Sequence, residues 1–409
     1  MKKTFTLLTA VLFSVVANAQ WDTLNTQTHT EFHSISFPDN MNGLAVGRNA
    51  TSGRGAAYYT ADAGQTWTAA NINTNAPAIN DVIFFSPYLG FAVSDSGQVF
   101  TCNVQGSVVV ETFQLGAYNL NCICKASDTV AYIGGDNGVM YRSPDFGQTW
   151  NALNTHTTNS IRDIYFANEL SGWFVADGGY IASTTDGGQT WTADTTNPYL
   201  GFLQCKSIAF AGTSMKAYVT GKNGLMVSST DNGMSWGMTN MNTTNYLNCI
   251  RFSNDLSGVI VGSNGMIRRT WVGGPNFDDE TMSYVTEHLT KVCYANDSTA
   301  YICGYNGRIL KSNMDISSTH EIVAAGFTTT VFPNPFADEL HFVIRLEERS
   351  AVNMIITDLT GRVVAEENSG EMNEGETILS PDISSLASGT YLATIITSGG
   401  RVSVPVVKQ

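Results

Sequence analysis

Ser143-Pro144-Asp145-Phe146-Gly147-Gln148-Thr149-Trp150 is the stretch on which the fold turns. The same Ser/Thr-x-Asp-x-Gly-x-Ser/Thr-Trp pattern returns at residues 60–67, 184–191 and 229–236, so five fixed positions recur four times. The Trp spacings are 83, 41 and 45 residues. Because 83 is close to two periods, a degenerate copy is expected near Val108, and one further period beyond Trp236 lands on Phe277. A second marker keeps the same period. Gly55, Gly97, Gly138, Gly179, Gly224, Gly265 and Gly307 follow one another at 41 to 45 residues, and four of them are the second member of an Asn-Gly pair, a strong signal for a two-residue hairpin.

Seven turns predict seven repeats. Residues 161–166, 172–176 and 180–184 read as strands separated by turn residues, with a fourth from Trp191 onward. Repeats of ~40 to 45 residues with four strands each are the signature of propeller blades, so the expected class is all-β: a seven-bladed β-propeller. Two unrelated sandwiches would not produce evenly spaced turns. Residues 20–26 (Gln-Trp-Asp-Thr-Leu-Asn-Thr) are similar to 148–155, whereas the seventh repeat lacks an Asp-Gly-Trp segment of its own. The N-terminal segment is therefore expected to supply the missing fourth strand and remove two open sheet edges.

The repeated segment has a plain structural chemistry. The carboxylates of Asp62, Asp145, Asp186 and Asp231 can accept N–H bonds within their turns, Gly64, Gly147, Gly188 and Gly233 supply positive φ, and Trp67, Trp150, Trp191 and Trp236 pack between blades. A calcium site would need more oxygen ligands than one carboxylate per turn.

Around this repeat the chain has 409 residues, 43% hydrophobic, 14% charged, with 38 Gly, which excludes a disordered or coiled-coil protein. Its formal charge of -14 disfavours a nucleic-acid partner. Lys2 and Lys3, the mostly apolar residues 5–16 and Ala17-Asn18-Ala19 read as a signal peptide over 1–19, with Gln20 as the mature start. The seven cysteines, an odd number in an exported chain, read mostly as small buried hydrophobes. His29, His33, His156, His288, His320 and His341 show no metal-ligand spacing, and no phosphate-cradling Gly motif follows a strand, so neither a metal nor another cofactor is expected.

The repeated segment resembles the Asp-box, or BNR repeat, of sialidases, xyloglucan-active hydrolases and the photosystem II stability/assembly factor family; the Gly-x-Asn-Gly turn preceding each box is most similar to the assembly-factor type. That resemblance spans residues 20 to about 320 and implies a propeller over 20–316. Beyond a small, polar linker at 317–330, residues 331–409 carry Val-Phe-Pro-Asn-Pro-Phe, an Asp358-Leu359-Thr360-Gly361-Arg362 turn and a Leu-x-x-Gly-x-Tyr segment. They resemble the type A C-terminal sorting domain of the type IX secretion system of Bacteroidota, with Phe332 where Tyr is usual. The motif falls on Pro333, Asn334, Pro335, Gly361, Gly389 and Tyr391, and the alternating strands suggest a small immunoglobulin-like β-sandwich. The resemblance implies passage through the periplasm, contact with the type IX machinery and delivery to the outer-membrane surface or beyond.

Aligning the first strands places Ser34, Asp81, Cys122, Asp163, Ser207, Cys249 and Lys291 in equivalent positions around the channel. Asp81, Asp163 and Lys291 from this alignment, with Arg162 and Arg251 as further inner-strand residues that could form part of an anion site, are the candidate ligand contacts. Asp81 and Asp163, two blades apart, are expected to stand too far from each other for a glycosidase pair, which needs ~5 to 9.5 Å. The Arg-Ile-Pro segment that accompanies the Asp-box in sialidases does not occur near the N-terminus. The expected function is a secreted or cell-surface module binding a protein or glycan, without catalytic residues; a sialidase-like hydrolase is the alternative.

Overall fold

The computed structural model describes residues 21–72, 75–103, 108–194, 204–255, 257–270, 273–296, 299–313, 322–324, 326–332, 334, 336 and 340–408. Its contacts divide these into two units, Trp21–Met314 and Asp315–Gln409, and none of the described helices is long and apolar enough to cross a membrane.

The larger unit contains seven sheets among the described residues, antiparallel but for one short edge pairing and numbered by their first strands. These strands are Glu31–Ser36, Ile79–Ser86, Leu120–Lys125, Ile161–Phe166, Cys205–Phe210, Leu247–Phe252 and Leu289–Asn296. Each lies beside the next, and the seventh lies beside the first, so the order is cyclic. Second strands such as Gly172–Ala176 and Gly258–Gly262 are buried at every residue. Sandwiched between two neighbours, they read as unbroken apolar runs rather than alternating ones. A separate hydrophobic cluster fills each junction. The one joining sheets 7 and 1 packs Phe32, Ile35, Phe37 and Trp67 against Tyr301, Cys303 and Ile309.

Sheet 4 has the strand limits expected from the sequence, Ile161–Phe166, Gly172–Ala176 and Tyr180–Thr184, with Thr192–Ala193 last. Closure also follows the expected route: Trp21–Leu24 pairs antiparallel with the third strand of sheet 7, Trp21 opposite Ser312 and Leu24 opposite Ile309. The buried Trp21 indole donates to Glu280 Oε2 at 2.9 Å, and Arg269, fully buried, donates to the same oxygen at 2.9 Å while its guanidinium lies 4.9 Å from the Trp21 ring. Sheet 6 is thereby tied to the strand that completes sheet 7.

Six of the seven Gly turns have two successive left-handed residues, as in Asn137 (φ 57°) and Gly138 (φ 71°). A Cβ at Gly138 would also sit 2.0 Å from the Thr157 carbonyl. The first differs. Gly55 is a strand residue opposite Arg48, and the chain reverses through residues 49–54, where Gly53 takes the positive φ. Gly55 is required for close approach instead, a Cβ there lying 2.4 Å from the Pro77 carbonyl.

The decayed copies keep part of the pattern. Near Val108, the strand Val108–Gln114 occupies the fourth position of sheet 2, and Asn71–Ile72 adds a parallel fifth strand. In sheet 6, Thr270 Oγ1 accepts the Gly274 N–H at 2.9 Å, and Phe277 packs edge-on against Phe252 at 6.4 Å as Trp191 does against Phe166 at 6.1 Å. Hydroxyl and aromatic persist where the carboxylate is gone.

Among its described residues the smaller unit has two four-stranded antiparallel sheets around one core that includes Phe327, Phe336, Phe342, Met354 and Val406. Part of the expected linker is structured here: Ile322–Ala324 pairs with Phe327–Phe332, which continues onto His341–Leu346, because buried Phe327 and Val331 give this stretch a core face. Positions 317–321 of that linker lie outside the described residues, as do Pro333 and Pro335. Asn334 is placed where it secures the last strand, donating to the Pro405 carbonyl at 2.8 Å and accepting the Val407 N–H at 2.9 Å. Gly361 turns at φ 84°, Asp358 accepts from Thr360 and Arg362, Gly389 opens the strand Gly389–Ile396, and the Tyr391 hydroxyl donates to Ala387 at 2.8 Å.

Candidate functional site

Every first strand of the propeller carries a register shift immediately before its channel residue: Phe32/Ser34, Ile79/Asp81, Leu120/Cys122, Ile161/Asp163, Cys205/Ser207, Leu247/Cys249 and Leu289/Lys291. A bulge of this kind adds a residue on one strand and re-aims its side chain. In each strand core residues stand three apart rather than two, as in Ile161 and Ile164, leaving two intervening side chains that address different levels of the channel.

At the inner level the seven aligned residues meet. Asp81 accepts from Ser34 Oγ at 2.6 Å, from the Val82 and Ile123 N–H groups at 3.0 and 3.1 Å, and pairs with Lys291 Nζ at 3.0 Å. Asp163 accepts from Ser207 Oγ at 2.7 Å, from the Ile164 and Ile208 N–H groups at 3.1 and 3.0 Å, and pairs with Arg251 Nη1 at 3.0 Å. Two Asp–Ser–cation clusters result, one spanning sheets 2, 1 and 7 and the other sheets 4, 5 and 6. Burial pushes the Asp163 carboxyl up, but Arg251, Lys291 and the Ser207 hydroxyl outweigh it and the net shift is downward. Burial pulls Lys291 and Arg251 down, yet the facing aspartates raise both. The pairing thus favours the charged forms of Asp163, Lys291 and Arg251. Cys122 and Cys249 complete this level, and burial, with both aspartates beside it, holds the Cys122 thiol far from ionisation.

Arg162 stands elsewhere. One residue before the bulge's channel position, it turns to the face bearing the Gly turns and pairs with Asp177 through Nε at 2.9 Å. Its counterparts form an outer level that the alignment of channel residues overlooked. His33 lies 3.0 Å from the Ile79 carbonyl; Asn80 donates to the Leu120 carbonyl, Asn121 to Ile161, Asn248 to Leu289 and Thr290 to Phe32, at 2.8 to 3.0 Å. Each bond crosses to the next sheet, so the mouth is sewn around its rim. Lys206 breaks the series. Among the described residues it makes neither a hydrogen bond nor an ion pair, and burial first, then Arg162 and Lys222, depress its pKa while Asp177 opposes them.

On the opposite face lie the repeated Asp segments. Thr60 Oγ1 donates to Asp62 Oδ1 at 2.8 Å and accepts the Gly64 N–H at 2.9 Å, while Asp62 accepts the N–H and hydroxyl of Thr66 at 2.9 and 2.6 Å. The same bonds recur at Asp145, Asp186 and Asp231. These carboxylates are committed to their turns. Gly147 and Gly233 approach the ring of Phe91 and the indole of Trp173, and Trp67, Trp150, Trp191 and Trp236 pack at the base of the turns. No three His, Cys, Asp or Glu side chains converge as metal ligands among the described residues. All seven thiols are free and at least half-buried, and burial raises those of Cys205 and Cys303 to about 12.

Residues 147–245 match the family described as photosynthesis system II assembly factor YCF48, and residues 330–409 match the secretion system C-terminal sorting domain. Solved structures with the same fold include YCF48 bound to D1 peptide, 18% identical with a TM-score of 0.60, covering 71% of this chain and 96% of that one. YCF48 from Cyanidioschyzon merolae is 15% identical with a TM-score of 0.57, covering 72% and 98%. Virginiamycin B lyase from Staphylococcus aureus is 14% identical with a TM-score of 0.59, covering 71% and 97%. Among curated proteins, none matches the chain. The larger unit is a β-propeller similar to YCF48, and the sorting domain indicates secretion with surface or outer-membrane localisation and interaction with the type IX machinery.

Proposed function

We propose that residues 20–316 act as a seven-bladed binding module at the cell surface, taking a protein or glycan ligand at the turn-side mouth without hydrolysing it. In this reading residues 1–19 are a signal peptide, export runs through Sec and the periplasm, and 331–409 is an immunoglobulin-like sorting domain removed on delivery. The repeated Asp-box residues are scaffold. The observation that carries the proposal is the mutual neutralisation of Asp81 with Lys291 and of Asp163 with Arg251. A glycosidase keeps one carboxyl protonated by raising its pKa, and Asp163 is shifted the other way. Lys206, by contrast, remains at the mouth without a partner among the described residues.

The test is to incubate the purified protein with sialosides and β-glucans, in parallel with a glycan array and pull-down from surface extracts. Binding without product supports the module. Turnover abolished by Asp81→Asn or Asp163→Asn, in variants whose circular dichroism matches the parent, establishes the hydrolase instead, since general acid catalysis contributes ~10² to 10⁴ in rate.

A further inference from the structure

The turn-side mouth has an uneven rim. In sheets 2, 3 and 4 the residue before the channel position meets an acid or is held by one: Asn80 with Asp95, Asn121 with Asp136, Arg162 with Asp177. In sheet 5 the corresponding pair is Lys206 and Lys222, two cations within electrostatic reach of each other. From Lys222 a line of rings continues through sheets 6, 7 and 1. Lys222 Nζ is 5.5 Å from the Tyr246 ring centroid, Tyr246 is 6.5 Å from His288, His288 is 5.4 Å from Tyr305, and Tyr305 is 6.4 Å from His33. Tyr246 is exposed and the other three are half-buried. The hydroxyls of Tyr246 and Tyr305 make no hydrogen bond among the described residues.

We propose that this crescent binds an acidic oligosaccharide, its sugar rings laid on Tyr246, His288 and Tyr305 and its carboxylate or sulfate groups held by Lys206 and Lys222. The proposal rests on the binding-module reading and names the ligand class. Aromatic side chains with a polar edge present an apolar face to the C–H face of a sugar and hydrogen-bonding groups to its hydroxyl rim. Three rings in series suit consecutive sugar units better than one small anion. A peptide added as a strand would need an open backbone edge. The inner edges here are already crossed by the bonds from His33, Asn80, Asn121, Asn248 and Thr290. The cations are the attractive element in a chain whose overall charge is -14, so binding depends on short-range pairing.

Calorimetric titration of the intact protein with oligogalacturonate, its carboxyl-reduced neutral counterpart and a chondroitin sulfate oligosaccharide tests the proposal. An acidic probe should bind at least ~10-fold more tightly than the neutral one, the expected scale for one lost charged contact. Lys206→Gln should reduce that preference, Tyr246→Ala should weaken every probe, and both variants should keep the parent melting temperature. Acidic glycan bound equally well by both variants refutes the crescent while leaving the module intact. No acidic oligosaccharide bound, but an Asp/Glu-rich peptide captured in a Lys206-dependent manner, refutes the glycan in favour of a protein ligand. Product release from any probe refutes the module itself.

Discussion

Removing the Asp163 carboxylate is the sharpest probe of the propeller's centre. In Asp163→Ala, the N–H groups of Ile164 and Ile208 and the Ser207 hydroxyl lose an acceptor and Arg251 loses its charge partner, in a pair whose Asp side chain is 6% exposed and whose Arg is 27% exposed. Leaving one member of such a pair uncompensated costs about 3–5 kcal/mol. All seven tryptophans lie before residue 272, so their fluorescence in a urea titration of the intact protein follows the propeller alone. The midpoint should fall with little change in slope. The control is the double variant Asp163→Ala/Arg251→Met. If the cost comes from a stranded charge, removing that charge restores most of the stability. A single variant losing under ~1 kcal/mol, or a double variant worse than the single, would show that Asp163 is not neutralised internally and would return it to the candidates for ligand contact.

Trp21→Ala should cost about 3–5 kcal/mol by the same fluorescence assay, since it empties a buried aromatic site and takes one N–H donor from Glu280 and the facing ring from Arg269; an unchanged melting temperature would refute the closure. Acid titration should reveal the Asp segments. The Asp186 carboxyl is lowered to about 2 by the Thr190 hydroxyl and N–H and by Thr184, and Asp231 to about 2 by Ser235 and Ser229. A depressed folded pKa gives stability that is present above the unfolded value near ~4 and lost as pH falls toward 2, so Asp231→Asn should flatten the loss of stability across that window. Deleting 331–409 should abolish surface delivery in the native host while the propeller still folds. Asn334→Ala, which releases the last strand, should lower the surface yield measured by cell fractionation.

The Asp-Gly-Trp period and the Gly turns made the propeller legible because turn chemistry is local: one hydroxyl, one carboxylate and one left-handed Gly complete each turn within eight residues. The similarity of residues 20–26 to 148–155 exposed the closure for the same reason. Gly55 misled because spacing cannot distinguish a Gly needed for positive φ from one needed for close approach to the Pro77 carbonyl. The channel was half-legible. Aligning first strands found Asp81, Asp163 and Lys291, and the inner strands offered Arg162 as well, but the alignment did not show the bulges or, with them, the rest of the outer level: His33, Asn80, Asn121, Lys206, Asn248 and Thr290. The signal was present as core residues three apart in every first strand, Leu247 and Ile250 among them. Tyr246, His288 and Tyr305 carried no such signal. Tyr246 comes from the loop entering sheet 6, whereas His288 and Tyr305 both flank strands of sheet 7, where the Tyr305 N–H donates to the His288 carbonyl at 2.9 Å, and the ring sets Tyr246 beside them.

The strand Trp21–Leu24 is joined to sheet 1 by a short connection, residues 25–30, yet it pairs with a segment almost three hundred residues later. A second copy would offer the same Ile309–Asn313 edge, so exchange of this strand between two molecules would conserve the same ladder pairing. Against such exchange stands the effective concentration of a molecule's own tethered strand, on the order of mM for a short linker. The same pairing that closes the ring would thus set the concentration scale that an incoming strand from a second copy has to exceed.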